Sequence, residues 1–214
     1  MSGDHDHDHR HDHDSEHAGI HPDIELTEPA RRAIVMHELL VEQGVLDPGE
    51  LAEQIQRVRS RSAADGARVV ARAWVDPAFK ARLLRDARSA VAELGYTLTH
   101  DAELAVVENT AAVHHLVVCT LCSCYPTALL GPPPDWYKSS PYRQRAVVEP
   151  RAVMREFGLD LATDVQVRVV DSTADLRYLV LPRRPPGTEG LSEEELAGLV
   201  TRDSMIGVTD PLEA

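Results

Sequence analysis

The feature that most constrains the fold is a change of pattern near residue 96. Beyond it come four short β-branched runs, "ELAVVE" (103–108), "HHLVVC" (114–119), "VQVRVV" (165–170) and "LRYLVLP" (176–182). Each has the length and composition of a strand. Within the third, Val165, Val167 and Val169 alternate with polar residues, and the fourth stops at Pro182. Between them, "PYRQRAVVEPRAVMREFG" reads as helix at least after Pro150. After them, "SEEELAGLVTRDSMIG" opens with a capping box of Ser192 and Glu195.

Residues 27–95 carry helix start signals instead. Thr27 stands as an N-cap, Asp47 precedes Pro48 with Glu50 completing a capping box, and Asp76 precedes Pro77. Phe79, Leu83, Ala87, Val91 and Leu94 then form a helical stripe, and Gly95 sits where a C-terminal cap belongs. The expected class is α+β. It comprises a helical N-terminal region (27–95) and a mixed α/β domain (96–214), preceded by a His/Asp-rich tail (1–26).

Composition narrows the function. At 43% hydrophobic and 27% charged, the 214-residue chain can bury a substantial core and reads as one or two soluble units. A formal charge of −13 offers no basic footprint for nucleic acid or anionic lipid. No apolar run approaches the roughly 20 residues of a membrane helix, and the acidic start lacks the apolar core of a signal peptide, so a cytoplasmic protein is expected. Residues 1–21 hold seven of the 11 histidines, alternating with aspartate in "DHDHDHRHDHD". With so little to bury, this stretch reads as a solvated tail. Its imidazoles also suit a loose trap for divalent cobalt, nickel or zinc.

The chemistry concentrates in "VVCTLCSCYP" (117–126), which holds all three cysteines, Cys119, Cys122 and Cys124. Neighbours this close cannot staple distant loops, so the sequence points to thiolate chemistry on a tight loop that leaves a strand. A structural zinc would need a fourth ligand, for which His114 or His115 are candidates; adjacent strand residues point to opposite faces, so at most one could reach. A C-x-x-C redox pair of Cys119 and Cys122 would leave the third thiol unexplained. The remaining reading places the sulfurs of Cys122 and Cys124 and the amide nitrogens of Ser123 and Cys124 in one plane around a metal, with Cys119 axial. Two deprotonated amides require a strongly Lewis-acidic, trivalent ion. Such a claw leaves one position open for metal-assisted hydration or hydrolysis.

The segments "VCTLCSC", "PPDWYKSSPYRQRAVVEPR", "LRYLVLPRRPPGTEGLSEEEL" and "LVTRDSMIGV" resemble the α subunit of nitrile hydratase and the homologous γ subunit of thiocyanate hydrolase. The resemblance implies a non-corrin cobalt(III) or non-haem iron(III) centre. Cys119 is then the axial thiolate, Cys122 a sulfinate, Cys124 a sulfenate, and Ser123 and Cys124 give backbone nitrogens. Thr120 matches the cobalt branch, where the iron branch usually carries serine. The resemblance further implies catalysis by the Cys124 sulfenate oxygen, acting as nucleophile or as base for water. It also implies a β subunit, or two β-like subunits, whose arginines hold the oxidised sulfurs; Arg143 and Arg145 are local candidates for the same role.

Departures bear on the substrate. Thr127 and Ala128 stand where most members carry a tryptophan and a proline that wall the pocket, and His100 falls where iron-type members carry a glutamine. A smaller, more polar wall leads to the expectation of a nitrile hydratase for a larger or polar nitrile. A thiocyanate hydrolase γ-like subunit is the alternative, and a non-catalytic cobalt or zinc storage or delivery protein is the alternative of another class.

Overall fold

The computed structural model describes residues 27–98 and 102–214. The tail assigned to residues 1–26 and the candidate His100 lie outside the described residues. By compactness the chain divides into a first unit ending at Ala52 and a second from Glu53 to Ala214. Helix α1 (Glu28–Glu42) begins after Thr27, whose side chain makes no capping bond. Helix α2 (Pro48–Arg59) follows, and the Asp47 carboxylate caps it by accepting from the amides of Gly49 and Glu50.

In the second unit, α3 (Ala63–Val75) is followed by α4 (Pro77–Arg85) and α5 (Ala87–Glu93). The stripe of Phe79, Leu83, Ala87 and Val91 is buried as its period requires. It is not one helix, however. Asp86 adopts an extended ψ and caps a new start by accepting from the Ser89 amide, so the stripe is split between α4 and α5. Asp76 caps α4 through the amides of Ala78 and Phe79.

Four strands follow the expected runs: β1 (Glu103–Glu108), β2 (Val113–Val118), β3 (Gln166–Asp171) and β4 (Leu176–Leu181). They form two parallel pairs, β1 with β4 and β2 with β3. Parallel partners need long crossovers. The β2 to β3 connection holds α6 (Thr127–Leu130), α7 (Asp135–Lys138), α8 (Ser140–Val148) and α9 (Pro150–Glu156). Thus "PYRQRAVVEPR" is two helices, parted where Pro150 starts the second. Helix α10 (Glu193–Leu199) opens on the Ser192 and Glu195 capping box, and Thr201 caps a separate α11 (Arg202–Ile206). The core joins α3, α4 and α5 to the strands through residues such as Val70, Phe79, Leu116, Val118, Leu179 and Met205. Among the described residues, no helix is long and apolar enough to cross a membrane.

Two histidines beneath the cysteine loop contradict the idea that one could serve as a metal ligand. His114 and His115 both bond the same buried side chain, Asn109. His114 Nε2 lies 2.8 Å from the Gly207 carbonyl and must therefore carry the proton. Its Nδ1 then accepts from Asn109 Nδ2 at 3.1 Å. Asn109 Oδ1 accepts from the His115 amide at 2.8 Å and from His115 Nδ1 at 3.2 Å. Turning the amide over would set donor against donor, so His114 is held neutral. Gly207 closes this corner with φ +89°, where a Cβ would lie 1.9 Å from the His115 carbonyl oxygen.

Burial lowers the pKa of His114, and burial followed by the Arg168 charge lowers that of His115. Both groups are neutral in folded and unfolded chains above about pH 6.5. As pH falls below that value the unfolded chain binds protons first, so stability declines with falling pH until the folded pKa values are reached. Denaturant unfolding between pH 7.5 and 5.5 is expected to show this loss, limited to about 1.4 kcal/mol per pH unit for each histidine. A His114→Gln variant should show a shallower slope; an unchanged slope would contradict the assignment.

Candidate metal centre

The cysteine loop is built from the end of β2. The parallel register sets Val118 beside Asp171, the last residue of β3. One residue further, the Asp171 carboxylate accepts from the Thr120 amide at 3.0 Å and from the Thr120 hydroxyl at 2.6 Å. Cys119, between the strand and this clamp, is fully buried. Arg143 on α8 donates through Nη1 to the Leu121 carbonyl at 3.2 Å, which fixes the exposed tip of the loop. Two tyrosines hold the base: Tyr142 Oη donates to the Val117 carbonyl at 2.6 Å, and Tyr137 Oη to the Cys124 carbonyl at 2.9 Å. Edge-on contacts lock these rings, with Tyr125 at 5.1 Å from Tyr137 and Trp136 at 4.8 Å from Tyr142.

The three sulfurs face one another. Cys119 and Cys122 Sγ are 3.5 Å apart, Cys122 and Cys124 Sγ 3.3 Å, and all three lie within 4.8 Å. Two sulfurs about 2.3 Å from one ion are separated by about 3.3 Å at a right angle and by about 3.8 Å at a tetrahedral angle. The spacing fits right-angled coordination better than a tetrahedral zinc site. Among the described residues no His, Asp or Glu joins the group. The zinc reading therefore lacks its fourth side-chain ligand, since both histidine candidates are engaged by Asn109.

The donor set is chemically prepared for a cation. Hydrogen bonds from the Cys124 and Cys119 thiols, and from the Ser123 amide, lower the Cys122 pKa to about 7. Burial, followed by the hydrogen bond to Cys122, raises that of Cys124 to about 12. One thiolate thus forms near neutral pH while Cys124 beside it retains its proton. A bound cation would remove this competition by taking the place of the shared protons.

Other expected residues are placed differently. Thr127 and Ala128 open α6 and line a cavity of about 40 Å³ beside the loop, together with Leu98, Tyr125 and Arg177. Arg145 is committed elsewhere, to Glu149 and Glu156, and does not serve the loop as a local donor. Arg143 grips a loop carbonyl through Nη1 and Ser140 through Nη2, while its buried Nε has no partner among the described residues. Asp171 and Arg177 carried no sequence signal as site residues. Each lies more than 45 positions from the cysteines and arrives only through strand pairing.

The family described as "Nitrile hydratase, alpha chain" matches residues 27–209. The chain belongs to this family. It is 51% identical over 185 residues to the low-molecular weight cobalt-containing nitrile hydratase subunit alpha of Rhodococcus rhodochrous, covering 86% of this chain and 89% of that one. Its fold is similar to that of an Fe-type nitrile hydratase from Comamonas testosteroni Ni1, with TM-score 0.80, 41% identity and coverage of 86% and 90%. It is also similar to a recombinant thiocyanate hydrolase with partially modified cobalt centres, with TM-score 0.82, 38% identity and coverage of 87% and 91%. Family membership makes the chain an enzyme subunit of the type that hydrates nitriles to amides.

The clamp at Thr120 predicts a measurable dependence. Asp171→Asn retains the side chain's shape but loses one acceptor and the negative charge, so cobalt affinity of the unloaded chain should fall about tenfold by competition with a chelator. Cys122→Ser should fall much further. Equal affinities for Asp171→Asn and the native chain would show that the loop holds its form without the clamp.

Proposed function

We propose that the chain is the metal-bearing α subunit of a cytoplasmic nitrile hydratase, with trivalent cobalt held at Cys119, Cys122, Ser123 and Cys124. The observation that carries this reading is the facing of three sulfurs, with Cys122 Sγ 3.5 Å from Cys119 Sγ and 3.3 Å from Cys124 Sγ, on a loop fixed from both sides. When bound, the ion supplies Lewis acidity and an open position. Cys119, buried at the base, would hold it through a thiolate, Cys122 and Cys124 through sulfur, and Ser123 and Cys124 through their amide nitrogens. Thr120 and the cobalt-containing relatives favour cobalt over iron.

In this reading Cys122 is oxidised to the sulfinate and Cys124 to the sulfenate, whose oxygen attacks the nitrile carbon or takes a proton from water. The loop leaves Cys122 exposed, so an oxidised sulfur there needs cover from another chain. A β subunit, or two β-like subunits, supplies that cover and arginine donors. Thr127 and Ala128 leave room for a larger or polar nitrile, a likeness shared with the three-subunit toyocamycin nitrile hydratase, which acts on a cyano-substituted nucleoside. The thiocyanate reading has one observation in its favour, the cationic Arg177 in the cavity beside Thr127.

Protein produced with cobalt is expected to carry one cobalt, two added oxygens on Cys122 and one on Cys124 by mass spectrometry of the intact chain and its loop peptide. Zinc on unoxidised thiols, with no nitrile turnover, would return the loop to storage or delivery. In the assembled enzyme, Thr127→Trp should shift preference at least fivefold from a bulky heteroaromatic nitrile toward acrylonitrile. Carbonyl sulfide and ammonia from thiocyanate, formed faster than amide from any nitrile tested, would favour the thiocyanate hydrolase reading.

A further inference from the structure

The parallel strands β1 and β4 part abruptly at their carboxyl ends. The Asn109 amide still donates to the Leu181 carbonyl at 2.9 Å. The next residue, Pro182, has no N–H to continue the pairing, and its carbonyl accepts instead from Trp74 Nε1 at 2.8 Å. Thr110 meanwhile turns toward β2, its amide donating to the Val113 carbonyl at 2.8 Å. A crevice of about 380 Å³ lies between the departing chains and the junction of α3 and α4. That is the size of a small-molecule site, and the carboxyl ends of parallel strands are where such sites form.

Its lining combines an apolar wall with cations. Trp74, Pro77, Leu181 and Pro182 form the wall, and the bond to Pro182 fixes the indole in it. Lys80, Arg183 and Arg184 line the same crevice with one opposing charge, Glu108, which Lys80 neutralises in an ion pair. Two cations are therefore in excess, in a chain whose formal charge is −13. Arg184 is held in place, since its Nε donates to Thr188 Oγ1 at 3.0 Å and its Nη2 to the Thr188 carbonyl, while Nη1 has no partner among the described residues. The exposed Arg183 makes no hydrogen bond or ion pair among the described residues. A guanidinium fork matches a planar oxyanion, and the wall beside it suits a flat apolar body.

We propose that this crevice binds a small organic anion, a planar apolar body bearing one carboxylate or phosphate, with Arg183 and Arg184 on the charge and Trp74 and Pro182 against the body. A neutral molecule of the same shape leaves the free guanidinium donors without an acceptor, and a bare inorganic anion leaves the apolar wall uncovered. The site is separate from the cysteine loop. Val113 opens β2 three residues after Thr110, and the loop leaves β2 at its far end, so a six-residue strand of about 20 Å lies between them. The proposal therefore stands independently of the nitrile hydratase reading.

The test titrates the isotope-labelled full chain with benzoate, phenyl phosphate, benzamide and inorganic phosphate, and reads affinity from the Trp74 indole N–H signal by NMR. That signal should shift while the one from Trp136, which lies outside the crevice, stays in place. Benzoate or phenyl phosphate should bind about tenfold more tightly than either benzamide or inorganic phosphate, and the tighter of the two identifies the anionic group. Arg183→Glu, at an exposed position, should lower that affinity about tenfold. Arg155→Glu makes the same change of net charge at an exposed position on α9, away from the crevice, and should leave the affinity unchanged. The proposal is overturned if no probe shifts the Trp74 signal, if benzamide matches benzoate, or if inorganic phosphate matches phenyl phosphate. Affinity unchanged in Arg183→Glu, or lowered equally in both variants, overturns it as well.

Discussion

The parallel register of β2 and β3 is the constraint on which the cysteine loop depends, because it delivers Asp171 to the point where the chain leaves β2 at Cys119. With Val118 opposite Asp171, one carboxylate meets both the amide and the hydroxyl of Thr120. A slip of one residue would turn Asp171 to the other face and release that clamp. The register is itself secured by burial: Leu116, Val117 and Val118 are almost wholly excluded from solvent. Hydrophobic packing thus sets a geometry that the polar groups of the loop then use.

Around this clamp the loop is held mainly through its backbone. Tyr142, Tyr137 and Arg143 bond the carbonyls of Val117, Cys124 and Leu121. Such bonds fix the path of the chain without engaging the sulfurs, which remain turned toward one another. The resulting sulfur spacing also explains the opposed thiol acidities. Cys122 gathers donors and ionises readily, whereas burial of Cys124 resists a second charge nearby. A cation would relieve both conditions.

The second strand pair plays a comparable part for the cavity. Parallel pairing of β1 with β4 sets Arg177 beside Leu104, and α6 brings Thr127 and Ala128 to the same place. The polar wall inferred from Thr127 therefore contains a cation as well.

By itself the sequence determined the local elements and the donor chemistry. Capping at Asp76 and Ser192, strand composition at residues 103–108 and 176–181, and the three clustered cysteines each depend on neighbours within a few positions. Even there local competition mattered, since the apolar stripe from Phe79 to Val91 did not reveal that Asp86 would begin a new helix. Tertiary structure alone decided which distant groups meet. It joined His114 and His115 to Asn109 rather than freeing one for a metal, gave Arg145 to Glu149 and Glu156, and brought Asp171 and Arg177 to the loop. The physical reason is that caps and strand propensities act over a few residues, whereas parallel pairing joins segments across long crossovers, and its register follows from burial of the whole core.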